Sequence, residues 1–306
     1  MRTIKAVRTM EKIAKFKADL DSSHKLFQIL KSSDAPDWWK IVLAYKAEDT
    51  EEDIYIDIRK NNTINVYYQG ASIAKIAMKN NKITATVHPK YLGYDDKTNK
   101  DHYTANGNPI YQSCCDKLKE IGNGEGSLLH YAKKFYSDKN AKEEANPEEK
   151  SEKKLQGEIV CKDKTLYIDS EFAHRYVEDQ SKTIRIDLVR VEGNKIQFVE
   201  LKRIQDGRLL NSNGSEPEVV EQVVEYKKFI QKNKDDILEY YKKVIKIKRE
   251  LGIPTTDANI ESLTIDEEPY LEIHNLYKKL HCKRNRRIES IKKILTDNNI
   301  KFSILK

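Results

Sequence analysis

Between residues 147 and 306 strand-like and helix-like runs alternate so regularly that few architectures remain open to the chain. A helical stretch, Glu148 to Ile159, leads to the apolar run Thr165-Leu-Tyr-Ile-Asp169. Two longer runs follow, Thr183 to Val191 and Lys195 to Lys202, separated by Glu192-Gly193-Asn194, a turn that predicts a hairpin. Lys195 to Lys202 is apolar on both faces, Ile196 and Phe198 against Val199 and Leu201, as a central strand requires. A helix is expected from Pro217 to Lys232, opened by Ser215 and Pro217, with an additional helix around 234–250. Tyr270 to His274 reads as a strand, Arg286 to Leu295 as a helix and Ile300 to Ile304 as a last strand. The order αβββαβαβ predicts an α/β unit with a mixed central sheet flanked by helices.

The first half carries a different pattern. From Lys5 to Leu30, Ile13, Phe16, Leu20 and Phe27 recur at helical spacing and predict one or two amphipathic helices, ended by Asp34-Ala-Pro-Asp37. Four alternating runs follow, 53–59, 63–68, 72–78 and 82–87, divided by Asn61-Asn62, Gly70 and Asn80-Asn81. They predict an antiparallel meander, and hence an α+β module over residues 1–136. Residues 94–126 give little signal, and Ser127 to Tyr136 is helical. The stretch 137–150 is almost wholly polar, so it is expected to link the first module to a second domain over residues 151–306. The 306 residues are enough for two domains.

Charge and cysteine usage narrow the function classes. The 56 Lys and Arg against 49 Asp and Glu leave a net charge of +7, compatible with a polyanionic partner without demanding one. Cys114, Cys115, Cys161 and Cys282 show no CxxC spacing, which points to reduced thiols. No apolar stretch is long enough for a signal peptide or membrane span, so a cytoplasmic protein with no membrane partner is expected. Walker, dinucleotide-binding, His-Glu-x-x-His and nucleophile-elbow motifs are all missing, leaving ATP hydrolysis and hydride transfer without support.

The chemistry concentrates in the hairpin. Asp187 lies in mid-strand between Ile186 and Leu188, where an ionised carboxylate is expensive unless it is paired. Glu200 and Lys202, two apart on the next strand, share a face of the sheet, and the hairpin can bring Asp187 to that face. Two carboxylates can hold a hard divalent cation, the Leu201 carbonyl can add an oxygen ligand, and the ammonium can steady developing negative charge. An ordinary exposed ion pair is the competing reading of Glu200 and Lys202. Gln222 and Tyr226, four apart on the following helix, share a face.

Arg185-Ile-Asp-Leu-Val189 followed by Phe198-Val-Glu-Leu-Lys202, with the Gln-x-x-x-Tyr helix behind it, resembles the PD-(D/E)XK nuclease superfamily over about half the chain. The resemblance implies a restriction-endonuclease-like fold and Mg²⁺- or Mn²⁺-dependent phosphodiester hydrolysis, most naturally of DNA, in defence, restriction or repair. It implies Asp187 and Glu200 as metal ligands and Lys202 as the catalytic cation, with Gln222 and Tyr226 bracing the site. An upstream acid is also implied: Glu152, in an E-x-x-L-Q pattern, matches best, with Glu158 and Glu171 as alternatives. Asp206 and Arg208 can contact substrate from the next connection. Lys283, Arg284, Arg286 and Arg287, with Lys278 and Lys279 nearby, form a basic cluster suited to phosphates or to a solvated helix face. His274, His281 and Cys282 lack a second pair at ligand spacing and read as structural. Trp38-Trp39 and Tyr67-Tyr68 can stack on bases or fill a core. Two other readings remain: a non-cleaving nucleic-acid-binding or assembly protein, and an RNA-directed nuclease. The first module would then serve substrate selection or homodimerisation.

Overall fold

Residues with left-handed backbone punctuate the first half of the chain. Asn62 (φ 53°), Gln69 and Gly70 (46° and 73°), and Asn80 and Asn81 (50° and 58°) reverse the chain. Gly and Asn adopt that conformation at least cost. They join β1 (Ile54–Arg59), β2 (Thr63–Tyr68), β3 (Ala71–Lys79) and β4 (Lys82–Val87). With β5 (Gln112–Ser113) these make a five-stranded antiparallel sheet in sequential order, the expected meander. The computed structural model describes residues 13–94, 100–122, 124–176, 182–211 and 216–306. Helices α1 (Lys25–Lys31) and α2 (Asp37–Ala44) bury Leu26, Phe27 and Trp39 in the same core as Ile56 and Val66 of the sheet.

Of the one or two helices expected between Lys5 and Leu30, the described residues form α1. Residues 5–12 lie outside the described residues, and from Ala14 to Leu20 the chain forms no helix. Ala14, Phe16 and Leu20 are buried while Lys15, Lys17 and Asp19 are exposed, a period of two that the same residues also carry. Tertiary partners decide between the two periods. Asn233 accepts from the Phe16 amide at 2.8 Å and donates to the Ala14 carbonyl at 3.1 Å, and the Ala14 amide donates to Tyr176 at 2.8 Å. The segment is thereby held as a strap.

Ser127 caps α3 (Leu128–Ala145) by accepting from the His130 amide. The polar stretch 137–150 continues this helix through Ala145 and closes in a 3-10 turn, Pro147–Glu149. Ser151 then caps α4 (Glu152–Lys162) by accepting from Lys154.

The second sheet contains β6 (Tyr167–Arg175), β7 (Thr183–Glu192) and β8 (Lys195–Arg203). Beyond α5 (Glu218–Glu250) come β9 (Thr264–Ile265), β10 (Tyr270–His274), α6 (Cys282–Asp297) and β11 (Lys301–Leu305). The order is β11-β10-β8-β7-β6, with β9 also pairing with β8. β6, β7 and β8 are antiparallel, whereas β10 runs parallel to both β8 and β11. The sheet is therefore mixed, with parallel crossovers through α5 and α6. One correction concerns α5, which is a single helix of 33 residues rather than two. It contains no Gly or Pro, and its buried residues recur at helical spacing from Val219 to Lys248. Ser215 lies outside the described residues.

The two sheets share a core. Phe16, Ile58 and Val66 belong to the same buried cluster as Phe172, Phe198, Phe229 and Tyr241. At a second contact the β2–β3 turn lies against α4 with no room for side chains: a Cβ on Gly157 would sit 2.4 Å from the Gly70 nitrogen, and one on Gly70 would sit 1.9 Å from the Lys153 carbonyl oxygen. That contact sets where the first turn of α4, with Glu152, lies over the second sheet.

Candidate functional site

Gly193, at φ 60°, closes the β7–β8 hairpin, and the register Glu192–Lys195 through Leu188–Val199 leads Asp187 and Glu200 to adjacent positions at its open end. The Lys202 ammonium pairs with Glu200 Oε1 and lies 3.1 Å from the Leu201 carbonyl. Glu200 is 2% exposed and Lys202 is fully buried, so this pair is not the surface ion pair of the competing reading. From α5, Gln222 Nε2 donates to Glu200 Oε1 at 2.8 Å and to the Tyr226 hydroxyl. That hydroxyl lies 3.1 Å from Glu200 Oε2 and also reaches the Arg185 carbonyl. Both oxygens of Glu200 are thus positioned by one helix face.

Asp187 Oδ2 accepts from the Leu201 amide at 2.9 Å, and the Asp187 carbonyl accepts from Gln156 of α4 at 2.6 Å. The loop after β8 adds a second layer. Arg208 binds Asp206 through Nε at 3.0 Å and Nη2 at 2.6 Å, and its Nη2 lies 3.6 Å from Glu152 Oε1. Arg287 holds this loop to α6 through the carbonyls of Ile204 (2.9 Å) and Asp206 (2.7 Å). In a site otherwise mostly buried, the Arg208 side chain is 41% exposed.

Crowded carboxylates leave an electrostatic signature. Burial, reinforced by the charge of Glu200, pushes Asp187 up to about 7 despite Lys202 and the Leu201 amide. Burial also raises Glu200, against the pull of Lys202, and raises Glu152, with Asp187 adding to the effect and Lys202 and Arg208 opposing it. At Asp206 burial acts upward, but the hydrogen bonds from Arg208 outweigh it and hold the carboxyl below its ordinary value. Three acids that repel one another in a buried place form a cluster that an added cation would relieve.

Of the three upstream acids, only Glu152 reaches this cluster. Glu158 is buried against Lys150 at 2.7 Å, and Glu171 pairs with Lys153 at 2.7 Å beside Tyr67. The basic cluster divides in two. Arg284 is tied to Glu148 at 2.7 Å and stacks on Tyr277, and Arg287 braces the loop, while Lys283 and Arg286 face solvent. His274 bonds Glu272 at 2.8 Å, as a structural histidine does. Trp39, Tyr67 and Tyr68 are buried and unavailable to bases.

Sequence reading overlooked two features. Gln156, which joins α4 to the strand at Asp187, stood in the E-x-x-L-Q stretch that singled out Glu152. The other is a buried ionic cluster between the sheets. Arg59 pairs with Asp169 at 2.6 Å and Asp57 at 3.3 Å, Lys248 pairs with Asp57 at 3.1 Å, and the Tyr241 hydroxyl donates to Asp169 at 3.0 Å. Its only trace in the sequence is an acid inside each of two apolar strand runs.

The donor set at Asp187, Glu200 and Glu152 is all oxygen, as Mg²⁺ and Mn²⁺ prefer. Gln222 Oε1, buried without a partner, adds an unused acceptor beside Glu200. Among the described residues no three acidic, His or Cys side chains converge into a ready metal shell, so water and substrate oxygens would have to complete one. No described helix is long and apolar enough to cross a membrane. Comparison with protein-family profiles, with curated proteins and with solved structures found no match for this chain.

Proposed function

We propose that the chain is a divalent-cation-dependent nuclease acting on DNA, with a restriction-endonuclease-like second sheet. The reading rests on one observation: Asp187, Glu200 and Lys202 meet at the open end of one hairpin, with Glu200 held by Gln222 and Tyr226 and with Glu152 close by. Asp187 and Glu200, aided by Glu152, would hold Mg²⁺ or Mn²⁺. Bound there, the ion supplies Lewis-acid polarisation of the scissile phosphate and a more acidic water. The Lys202 ammonium, now neutralising Glu200, would turn to the negative charge that develops on the phosphate. Gln222 and Tyr226 keep the Glu200 carboxylate from rotating as that charge shifts. Arg208 is positioned to leave Asp206 and Glu152 for a substrate phosphate, since its guanidinium-bearing side chain is 41% exposed against 29% for Glu152 and 11% for Asp206. Lys283 and Arg286 would follow the nucleic-acid backbone.

The test is incubation of purified protein with linear duplex, supercoiled and single-stranded DNA and with RNA, in Mg²⁺, in Mn²⁺ and in EDTA. Cleavage that needs the metal and is lost in Lys202→Met, with the circular dichroism spectrum unchanged, is the expected result. Cleavage by Lys202→Met at the wild-type rate, or no cleavage of any substrate, would overturn it. Cleavage of RNA alone would move the substrate class.

A further inference from the structure

A second surface carries aromatic rings where a core would not expose them. The segment His88 to Tyr94, the turn from Tyr103 to Pro109 and the α3 face from Tyr131 to Phe135 enclose a groove of about 510 Å³. Tyr94, Tyr103 and Tyr131 line it half-buried, and Phe135 stands at its rim, 51% exposed. Tyr111, 58% exposed, sits edge-on to His88 at 5.6 Å. The floor is built to shape. Gly93 takes φ 84°, and a Cβ there would lie 2.5 Å from the Tyr131 ring, so the loop backbone rests on that ring only because the residue is glycine.

Two cations stand among these rings. The Lys90 ammonium lies 4.3 Å from the Phe135 ring centroid and 4.8 Å from that of Tyr91, and Lys134 is exposed on the next turn. Neither has a carboxylate within ion-pair distance among the described residues. Tyr91, beside Lys90, is hydrogen-bonded at 2.9 Å to Tyr136 of α3, and Tyr136 lines a cavity with Ser151, Lys153 and Lys154, which puts the back of the groove toward the helix that delivers Glu152 to the candidate site. Exposed rings interleaved with ammonium groups that have no ion-pair partner among the described residues match a flexible polyanion with flat apolar bases. A peptide without acidic side chains would leave the two charges unanswered. The volume falls in the range of a small-ligand site.

We infer that this groove binds an unpaired stretch of nucleic acid, with Phe135 and its neighbouring tyrosines stacking on one or two bases and Lys90 and Lys134 meeting the adjoining phosphates. The choice of nucleic acid rests in part on the nuclease reading, and the groove would then feed a single strand to the site beside α4.

Fluorescence anisotropy with a labelled oligothymidylate and a blunt duplex, in EDTA so that nothing is cut, tests this directly. Wild-type protein should prefer the single strand. Phe135→Ala should weaken that binding roughly 5- to 100-fold, and Lys134→Ala should lower the salt dependence by about one phosphate contact. Both side chains are exposed, so melting temperatures should stay put. Equal affinity for single strand and duplex, or wild-type binding by both variants, overturns the inference. Lys202→Met separates the two ideas. Groove binding without cleavage by any form sinks the nuclease reading alone, and metal-dependent cleavage with Phe135→Ala binding as wild type sinks the groove alone.

Discussion

Glu200 is an acid that a β-strand interior would reject unless its neighbours were chosen for it. Lys202 and Gln222 both engage its Oε1, and the Tyr226 hydroxyl lies against its Oε2. On the proposed function, Tyr226→Phe and Gln222→Ala should therefore lower metal-dependent cleavage about 10- to 100-fold, as loss of supporting hydrogen bonds at metal sites does. They should also raise the Mn²⁺ concentration needed for half-maximal rate; an activity loss with unchanged metal dependence would mean that these residues do not act through Glu200. The buried ionic cluster makes a separate prediction at this scale. Arg59→Met leaves Asp57 and Asp169 without their cation and should cost about 3–5 kcal/mol near neutral pH, measured by urea denaturation. Burial holds the Asp169 carboxyl at about 6, against an ordinary 3.8, even though Arg59 pulls it down. A raised carboxyl means that the folded state binds more protons than the unfolded state between those values. This group's contribution to stability therefore falls as pH rises from about 4 to about 6 and is constant above. Without Arg59 the carboxyl rises further, so the deficit of the variant should shrink on going from pH 8 to pH 5. A deficit that grows toward acid would refute the assignment.

Elements were legible where the local signal had one solution. The β7–β8 hairpin was such a case, because Glu-Gly-Asn between two apolar runs permits little else. Residues 13–20 were not, since Phe16 and Leu20 satisfy a helical period and Ala14, Phe16 and Leu20 an alternating one. Asn233, more than two hundred positions away, decides the matter. The single α5 was hidden for a related reason: the polar run around Lys232-Asn233-Lys234 reads as a break until Asn233 is seen to be buried and bonded. Two predictions belong here. Asn233→Leu should free the strap, exposing Phe16, and should be detectable as faster amide exchange over residues 14–20 with α5 intact; unchanged exchange would show that other contacts hold it. Gly157→Ala forces a Cβ against the Gly70 backbone and should cost about 1–3 kcal/mol. It should also lower activity beyond the stability loss, because α4 carries Glu152 and Gln156. Full activity at permissive temperature would show that α4 can shift without disturbing the site.

At the scale of the molecule, one buried cluster runs through both sheets, the Arg59–Asp169 pair crosses between them, and the Lys248–Asp57 pair ties α5 to the first. Trp38 and Trp39, the chain's two tryptophans, sit on the side of the first sheet, so their fluorescence reports that half while circular dichroism reports the whole. Urea unfolding should give the same midpoint by both probes; separated midpoints would mean that the halves unfold independently. The sequence alone determined the alternation of elements, the meander, the hairpin and the placing of Asp187, Glu200 and Lys202 near one another, because periodicity, turn chemistry and two-residue spacing are local properties of the chain. Tertiary structure alone decided which upstream acid joins them, which aromatic residues are buried and which line a groove, and that residues 14–20 are not helical. Each of those choices depends on partners distant in sequence, whose burial and hydrogen bonds outweigh the small free-energy differences between local conformations.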